Sequence, residues 1–250
     1  MFMVASNELK RMFYSPMAWI ILAILQAILA FIFLYTLDQY INVLQPALAG
    51  QDNAPGLTDI VIASLYLWAG VIMLAVMPLL TMRLLAEERM NKTLVLLKSA
   101  PISSTQIVLG KYLGLMIFIL IIIFMISLMP FSLALGANLD WGKFSAAVLG
   151  LVLLLASFAA AGLFLSSLTK QPIIAAMSTF GLLLFLVVIY ISGSSANSAS
   201  SLFVYLSHFG HFSAFLEGIF NTTDLIYYLL FIVGFLVLTI HKLDSDRLQG

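Results

Sequence analysis

The chain has 250 residues, of which 63% are apolar and only 9% are charged, and its formal net charge at pH 7 is zero. Soluble domains are only about half apolar, so this composition indicates a membrane protein. The neutral charge balance and the absence of a basic patch argue against nucleic-acid binding. The absence of cysteine excludes disulfides and thiolate metal sites.

Residues 1–16 are predicted to form a short amphipathic helix at the membrane interface, before Ser15-Pro16 turns the chain into the first apolar run. A frayed N-terminus is the alternative. The expected apolar face consists of Phe2, Ala5, Leu9, Met12 and Phe13, with Glu8, Lys10 and Arg11 off that face.

Six apolar runs are long enough to cross a bilayer core about 30 Å thick, which requires about 20 helical residues. Helices are favoured over a barrel because the runs lack the alternating polarity of membrane strands. The last run is short and is expected to begin earlier or to tilt. The sequence therefore predicts one all-α integral membrane domain over residues 1–250. The predicted spans are Met17–Leu37, Ile60–Met82, Ile107–Met129, Phe144–Leu168, Pro172–Ile191 and Leu225–Ile240.

The basic residues predict the orientation of these spans. Six spans place both termini on one side, and ten of the eleven basic residues fall on that side, with Lys143 the exception. Basic residues accumulate in cytoplasmic loops. We therefore expect both termini to lie in the cytosol and the protein to lie in a bacterial inner membrane.

The segment from Arg83 to Lys111 holds five of the eleven basic residues together with Glu87 and Glu88. Each Lys or Arg costs roughly 3 kcal/mol at the centre of a membrane helix, so this segment is predicted to be a cytosolic loop, with its core at residues 83–106. Ser103 and Gln106 form a capping-box pattern that would start the third span.

Energy for any transport is expected to come from a partner. Lys111 lies at the start of the third span, and we assign it to the charged loop. On this assignment the interior of the six spans holds no ionisable side chain, which argues against a proton-driven carrier. The chain also has no P-loop and no recognisable catalytic motif. Gln26 in the first span and Ser127 in the third either line a path or hydrogen-bond between helices.

Residues 192–224 are predicted to form a re-entrant or interfacial segment on the outer side. Ser192–Ser201 is a Gly/Ser/Asn/Ala-rich break, and an aromatic stretch that is too short for a clean span follows it. His208 and His211 are spaced so that they share a helix face, with Glu217 six residues on. There are two alternatives for these histidines. They form a metal site, which would make the chain a membrane enzyme, or they are simply two interfacial histidines.

Several segments resemble motifs of one known family. The charged loop contains RLLAEER from Arg83, KTLVLLKSAPIS from Lys92 and VLGKYL from Val108. FYSPMAWI precedes the first span and HFSAFLEGI precedes the last. Together they resemble ABC-2-type transporter permeases, in the branch of gliding-motility and nitrous-oxide-reductase-maturation permeases. The usual loop pattern there is R-x-x-x-E-E, then G-T-L-E-x-L-L-x-x-P-[IV]-S, then Gly-Lys entering the third span.

The resemblance implies a type V exporter-like permease architecture. Two permease copies, as a homodimer or with a paralogue, would form the path, and separate ATPase subunits would bind ATP and Mg²⁺. The chain itself would hold no cofactor and would not be an enzyme. An accessory extracytoplasmic membrane protein is a further expected partner. The residues expected to couple the loop to the ATPase are Arg83, Glu87, Glu88, Arg89, Lys92, Thr93, Lys98 and Pro101.

Two loop residues depart from the family pattern. Lys92 stands where the family usually has Gly, and Val95 stands where it usually has Glu. The alternative for the loop is a solvated segment whose charges only set topology. The alternative for the whole chain is a membrane scaffold or anchor in an envelope or motility complex that moves no solute.

Overall fold

The computed structural model describes residues 1–47, 55–93, 103–134, 136, 139–195 and 206–248, and all regular elements in these residues are helices. The N-terminal helix is Phe2–Tyr14, the loop helix is Ala86–Met90 and the distal helix is His208–Leu216. Spans 1 to 6 are Pro16–Gln39, Ala63–Thr81, Ser104–Leu133, Trp141–Leu168, Pro172–Ser195 and Thr222–Leu248. Span 1 continues as the π-helix Tyr40–Leu44 and the helical turn Gln45–Ala47, and the π-helix Thr58–Ile62 leads into span 2.

The predicted six-span all-α fold is confirmed. Six helices in the described residues are long and apolar enough to cross a membrane. Span 6 begins at Thr222, earlier than the apolar run alone indicated. Span 5 extends to Ser195, so the first residues of the predicted break at Ser192–Ser201 are helical, and the rest of that break lies outside the described residues.

Local sequence sets several helix starts. Ser103 caps span 3 in a complete capping box with Gln106, as predicted. Asp140 caps span 4 by accepting from the backbone N–H groups of Gly142 and Lys143. Ser207 caps the distal helix by accepting from the N–H of Gly210. These side chains satisfy backbone donors that have no partner in the first helical turn.

Span 4 is the centre of the bundle. Two thirds of its most apolar window (67%) is buried, more than in any other span. Its small residues allow this packing: a Cβ at Gly162 would lie 2.4 Å from the hydroxyl oxygen of Thr81, and one at Gly150 would lie 2.6 Å from Cβ of Phe215. Spans 2, 3, 5 and 6 pack around span 4, and span 1 packs on spans 2 and 3. These outer spans present apolar side chains such as Phe31, Phe124 and Leu230 outward, as lipid contact requires.

Two polar contacts join spans 1 and 2 to span 3. Gln26 Nε2 donates to the carbonyl oxygen of Met125 at 3.0 Å, which links span 1 to span 3. The hydroxyls of Tyr66 and Ser127 lie 2.7 Å apart and link span 2 to span 3. Of the two roles considered for Gln26 and Ser127, these bonds support helix packing.

The two ends of the bundle are formed by different elements. Residues of the N-terminal helix and of the last turns of span 6 both contact the loop helix, so both termini lie at one end, here called the terminal end. The distal helix and the starts of spans 2, 4 and 6 lie at the opposite, distal end.

The predicted N-terminal helix is present, and its predicted apolar face is correct except at Phe2, since Ala5 is buried and Leu9, Met12 and Phe13 pack against the core. The burial of Glu8 on the same side was not predicted. Phe2 is 81% exposed, whereas Glu8 is only 7% exposed and faces span 3. A buried carboxylate on a helix of this kind requires a cationic partner, and span 3 provides one.

Candidate functional site at the terminal end

Span 4 fixes the start of the loop helix. The hydroxyl oxygen of Ser166 accepts from the backbone N–H groups of Leu85 and Ala86 at 3.1 and 3.0 Å, and the same hydroxyl donates to the carbonyl of Met82. Leu85 provides no side-chain cap of its own, so a serine from another helix performs the capping. The turn between span 2 and the loop helix is therefore tied to the centre of the bundle.

Lys111 of span 3 lies at the middle of a buried ion network. Its Nζ is 2.8 Å from Oε2 of Glu8 and 2.6 Å from Oε1 of Glu88, and its side chain is 2% exposed. The interpretation that placed Lys111 in a loop, and that left the spans without an ionisable residue, is wrong. Two carboxylates compensate this ammonium, which explains how it is tolerated inside a helix bundle.

Glycines of span 3 bring the N-terminal helix close enough for these contacts. A Cβ at Gly110 would lie 2.7 Å from Cβ of Val4, and one at Gly114 would lie 2.9 Å from the backbone oxygen of Ala5. Residues with side chains would push the two helices apart. Both residues of the Gly-Lys pair in the loop motif thus hold the N-terminal helix against span 3. Gly110 allows the close approach, and Lys111 binds Glu8.

The three charged residues of the loop helix together contact three other helices of the bundle. Glu88 binds Lys111 of span 3, while Glu87 lies 3.0 Å from the guanidinium of Arg11 in the N-terminal helix. Arg89 forms an ion pair with Asp246 near the end of span 6. The loop helix is therefore connected to four other elements, when the contact of its start with span 4 is included.

The other predicted coupling residues are more exposed. Arg83 is exposed at the mouth of a cleft between the N-terminal helix and spans 1 and 2. Lys92 and Thr93 are exposed beyond the loop helix, and the Thr93 hydroxyl lies 3.4 Å from the Glu88 carbonyl. Lys98 and Pro101 lie outside the described residues.

Lys92 occupies a backbone conformation that favours glycine. Its φ is 58°, and it is the one non-glycine residue with positive φ in the described part of the chain. It follows the helix end at the position where a left-handed residue commonly terminates a helix. The ABC-2 loop pattern noted above has Gly here, so Lys92 keeps the turn and carries its steric cost.

The distal histidines are buried inside the bundle rather than exposed on its surface. His208 is fully buried and His211 is 8% exposed. His211 Nδ1 lies 2.6 Å from Oδ1 of Asp224, and His208 Nδ1 lies 2.7 Å from the Tyr227 hydroxyl. These partners in span 6 make the burial possible. Burial, and secondarily the nearby His211, lower the pKa of His208 to about 3, which keeps its ring neutral.

Glu217 is exposed at the other end of the distal helix, away from this histidine cluster. No group of three His, Asp or Glu side chains suited to a metal ion occurs in the described residues. The two histidines instead attach the distal helix to span 6, together with the Tyr228 hydroxyl, which donates to the His208 carbonyl at 2.7 Å.

Comparison with known families agrees with this architecture. The family model described as "ABC-2 family transporter protein" matches residues 2–244, nearly the whole chain. No curated protein shows a significant match. The family is a membrane component of its transporters and is not itself catalytic. The six-span helical bundle and this match over residues 2–244 show that the chain belongs to the ABC-2 transporter family and is a multi-pass membrane protein.

Proposed function

We propose that this protein is the permease subunit of an ATP-binding cassette exporter of the inner membrane, with both termini cytosolic. It pairs with a second permease copy or a paralogue, and separate ATPase subunits bind ATP and Mg²⁺. The loop over residues 83–106 transmits the motion of the ATPase. The gliding-motility and nitrous-oxide-reductase-maturation branch and an accessory extracytoplasmic protein belong to the same proposal.

The observation that carries the proposal is the attachment of the loop helix. This helix is only five residues long, yet it contacts the N-terminal helix and spans 3, 4 and 6 through separate polar groups. A displacement applied to such a short, firmly attached element moves several spans together, because each contact joins it to a rigid helix. This arrangement supports a coupling role better than a merely solvated loop.

Residues 90–93, here called the loop tip, are exposed and available to a partner. Glu87, Glu88 and Arg89 already bind groups within the bundle. Beyond them, Met90 is 53% exposed, and Asn91 through Thr93 are also exposed. We therefore assign the ATPase contact to residues 90–93 and the following loop, and assign Glu87–Arg89 to internal transmission.

Charge reversal at matched lysines tests the proposal. The protein is purified with its ATPase in mild detergent, and ATP hydrolysis of the complex is measured. Lys92→Glu at the loop tip should reduce both ATPase copurification and stimulated hydrolysis at least tenfold. Lys10→Glu, an exposed lysine at the same end of the bundle, should leave both near wild type. Equal behaviour of the two variants would refute the assignment of the tip.

The same rigid attachment would also suit a static anchor, so the scaffold alternative needs its own experiment. An ATPase variant that binds but cannot hydrolyse ATP is assembled with the wild-type permease. A permease loses its cellular phenotype in this complex because motion requires turnover. A scaffold retains the phenotype, since only assembly matters.

A further inference from the structure

Two adjoining cavities lie at the distal end, away from the terminal site. The first has a volume of about 330 Å³ and lies between span 2, span 5 and the distal helix. The second has a volume of about 600 Å³ and lies between the start of span 2, the start of span 4 and the end of the distal helix. Both volumes fall in the range of roughly 300–1,000 Å³ that is usual for ligand pockets.

The two cavities form one continuous groove. Leu67, Ser213 and Leu216 line both of them. Their chemistry is nevertheless different. The first, here called the apolar chamber, is lined by aliphatic and aromatic side chains apart from Ser213 and the Tyr190 phenol. The second, here called the polar chamber, contains three charged residues.

The walls of the groove are firmly packed, so its shape belongs to the fold. A Cβ at Gly70 would lie 3.2 Å from the ring of Phe212, which shows how closely the distal helix packs on span 2. Gly218 has a φ of 79°, and a Cβ there would lie 2.7 Å from Cγ of Lys143. This left-handed turn holds the end of the distal helix against span 4.

The polar chamber has an unbalanced negative charge. Lys143 forms an ion pair with Asp59, which leaves the exposed carboxylate of Glu217 without an ion pair among the described residues. A cationic group entering the chamber would therefore be favoured over an anionic one.

We infer that this groove binds one amphiphile, with its hydrocarbon tail in the apolar chamber and an ammonium-bearing headgroup beside Glu217 in the polar chamber. The inference deepens the proposed permease function, because it names the substrate class as a lipid-like molecule with a cationic or zwitterionic headgroup. A soluble polar solute would leave the apolar chamber unfilled, and a purely apolar one would leave Glu217 unpaired.

Photolabelling tests the groove directly and requires no transport. The full chain is reconstituted in nanodiscs and exposed to a photoactivatable lipid with a phosphoethanolamine headgroup. A second probe has the same tail and a phosphoglycerol headgroup. We expect peptides of span 2, span 5 and the distal helix to be labelled at least fivefold more by the phosphoethanolamine probe. Glu217→Gln should abolish this preference.

Tryptophan substitutions provide the matched comparison. Val71→Trp and Leu184→Trp place bulk at half-exposed positions of the apolar chamber, while Leu120→Trp adds the same bulk on span 3, outside the groove. The first two should reduce labelling at least fivefold and the third should not. Equal labelling in all three variants, equal labelling by both probes, or crosslinks to a second copy of the chain in place of the lipid would overturn the inference.

The outcomes separate this inference from the proposed function. If labelling follows the predicted pattern but no ATPase copurifies, the amphiphile site stands and the permease proposal fails. If the ATPase binds and is stimulated but labelling does not depend on Val71, Leu184 or Glu217, the permease proposal stands and the amphiphile site fails.

Discussion

Replacement of Lys111 by methionine should destabilise the protein severely. Met has a similar length but no charge, so Lys111→Met leaves the carboxylate of Glu8 buried without a cation. It leaves Glu88 with only the guanidinium of Arg11, 3.8 Å away. The Lys111 side chain is 2% exposed, and those of Glu8 and Glu88 are 8% and 16% exposed. Removal of one partner from a buried ion pair costs about 3–5 kcal/mol. Glu8 and Glu88 retain slight exposure, so we expect the lower part of that range.

The matched control is Lys143→Met. Lys143 forms an ion pair with the single carboxylate of Asp59, but the side chains of Lys143 and Asp59 are 35% and 33% exposed. An exposed pair contributes about 1 kcal/mol or less, so this variant should unfold nearly as the wild type does. The triple variant Glu8→Gln, Lys111→Met, Glu88→Gln should recover most of the stability lost in Lys111→Met, since no unpaired charge remains.

Equilibrium unfolding in mixed detergent micelles, followed by circular dichroism, measures all three variants. Equal losses in Lys111→Met and Lys143→Met would refute the reasoning, because burial would then not determine the cost. A triple variant as unstable as Lys111→Met would also refute it, because the cost would then not arise from the unpaired carboxylates.

Three further predictions use the same unfolding measurement. Lys92→Gly should stabilise the protein by about 0.5–1 kcal/mol, because glycine adopts the left-handed backbone without steric cost. Lys10→Gly within the N-terminal helix should instead destabilise the protein by about 1 kcal/mol. Two effects of the same sign would contradict this prediction. Gly162→Ala should lower the free energy of unfolding by about 1–3 kcal/mol, because the added Cβ would lie 2.4 Å from a threonine hydroxyl of span 2. At Gly181 an added Cβ would have no atom within 4 Å, so Gly181→Ala should be neutral or stabilising. Burial lowers the pKa of His208 to about 3, from roughly 6.5 in the unfolded chain, so the free energy of unfolding should fall as pH falls from about 6.5 towards 3. His208→Phe should show a smaller fall over the same pH range. An unchanged dependence on pH in this variant would contradict the prediction.

Features that depend on local sequence could be predicted well. The six spans follow from long apolar runs, since a bilayer demands about 20 such residues wherever a helix crosses it. The capping box at Ser103 and Gln106 follows from residues three positions apart. The N-terminal helix follows from its amphipathic spacing.

Features that depend on contacts between distant residues could not be predicted. Glu8 and Lys111 are 103 positions apart, so nothing in either local pattern indicates that they meet. Burial of Glu8 beside the apolar face of the N-terminal helix could therefore not be expected. Ser166 is an unremarkable serine in an apolar span, and its capping of the loop helix requires the packing of span 4 against that turn.

Some features of the loop could be predicted from its sequence. Its charged residues predict a segment outside the lipid. The roles of Glu87, Glu88 and Arg89 as internal contacts could not be predicted, because they depend on groups from three other elements. The family pattern had marked Lys92 as unusual. The left-handed backbone at Lys92 explains why Gly is the expected residue there.

Site-specific crosslinking tests the central claim most directly, because the chain has no cysteine of its own. Lys92→Cys at the loop tip and Glu217→Cys at the distal end are each introduced into the otherwise unchanged protein and treated, in membranes, with a short thiol-to-amine crosslinker. We predict that Lys92→Cys forms a crosslink to a polypeptide whose peptides contain a P-loop, and that Glu217→Cys forms none. No such product at position 92, while the ATPase still copurifies, would contradict the claim that this loop is where the ATPase acts.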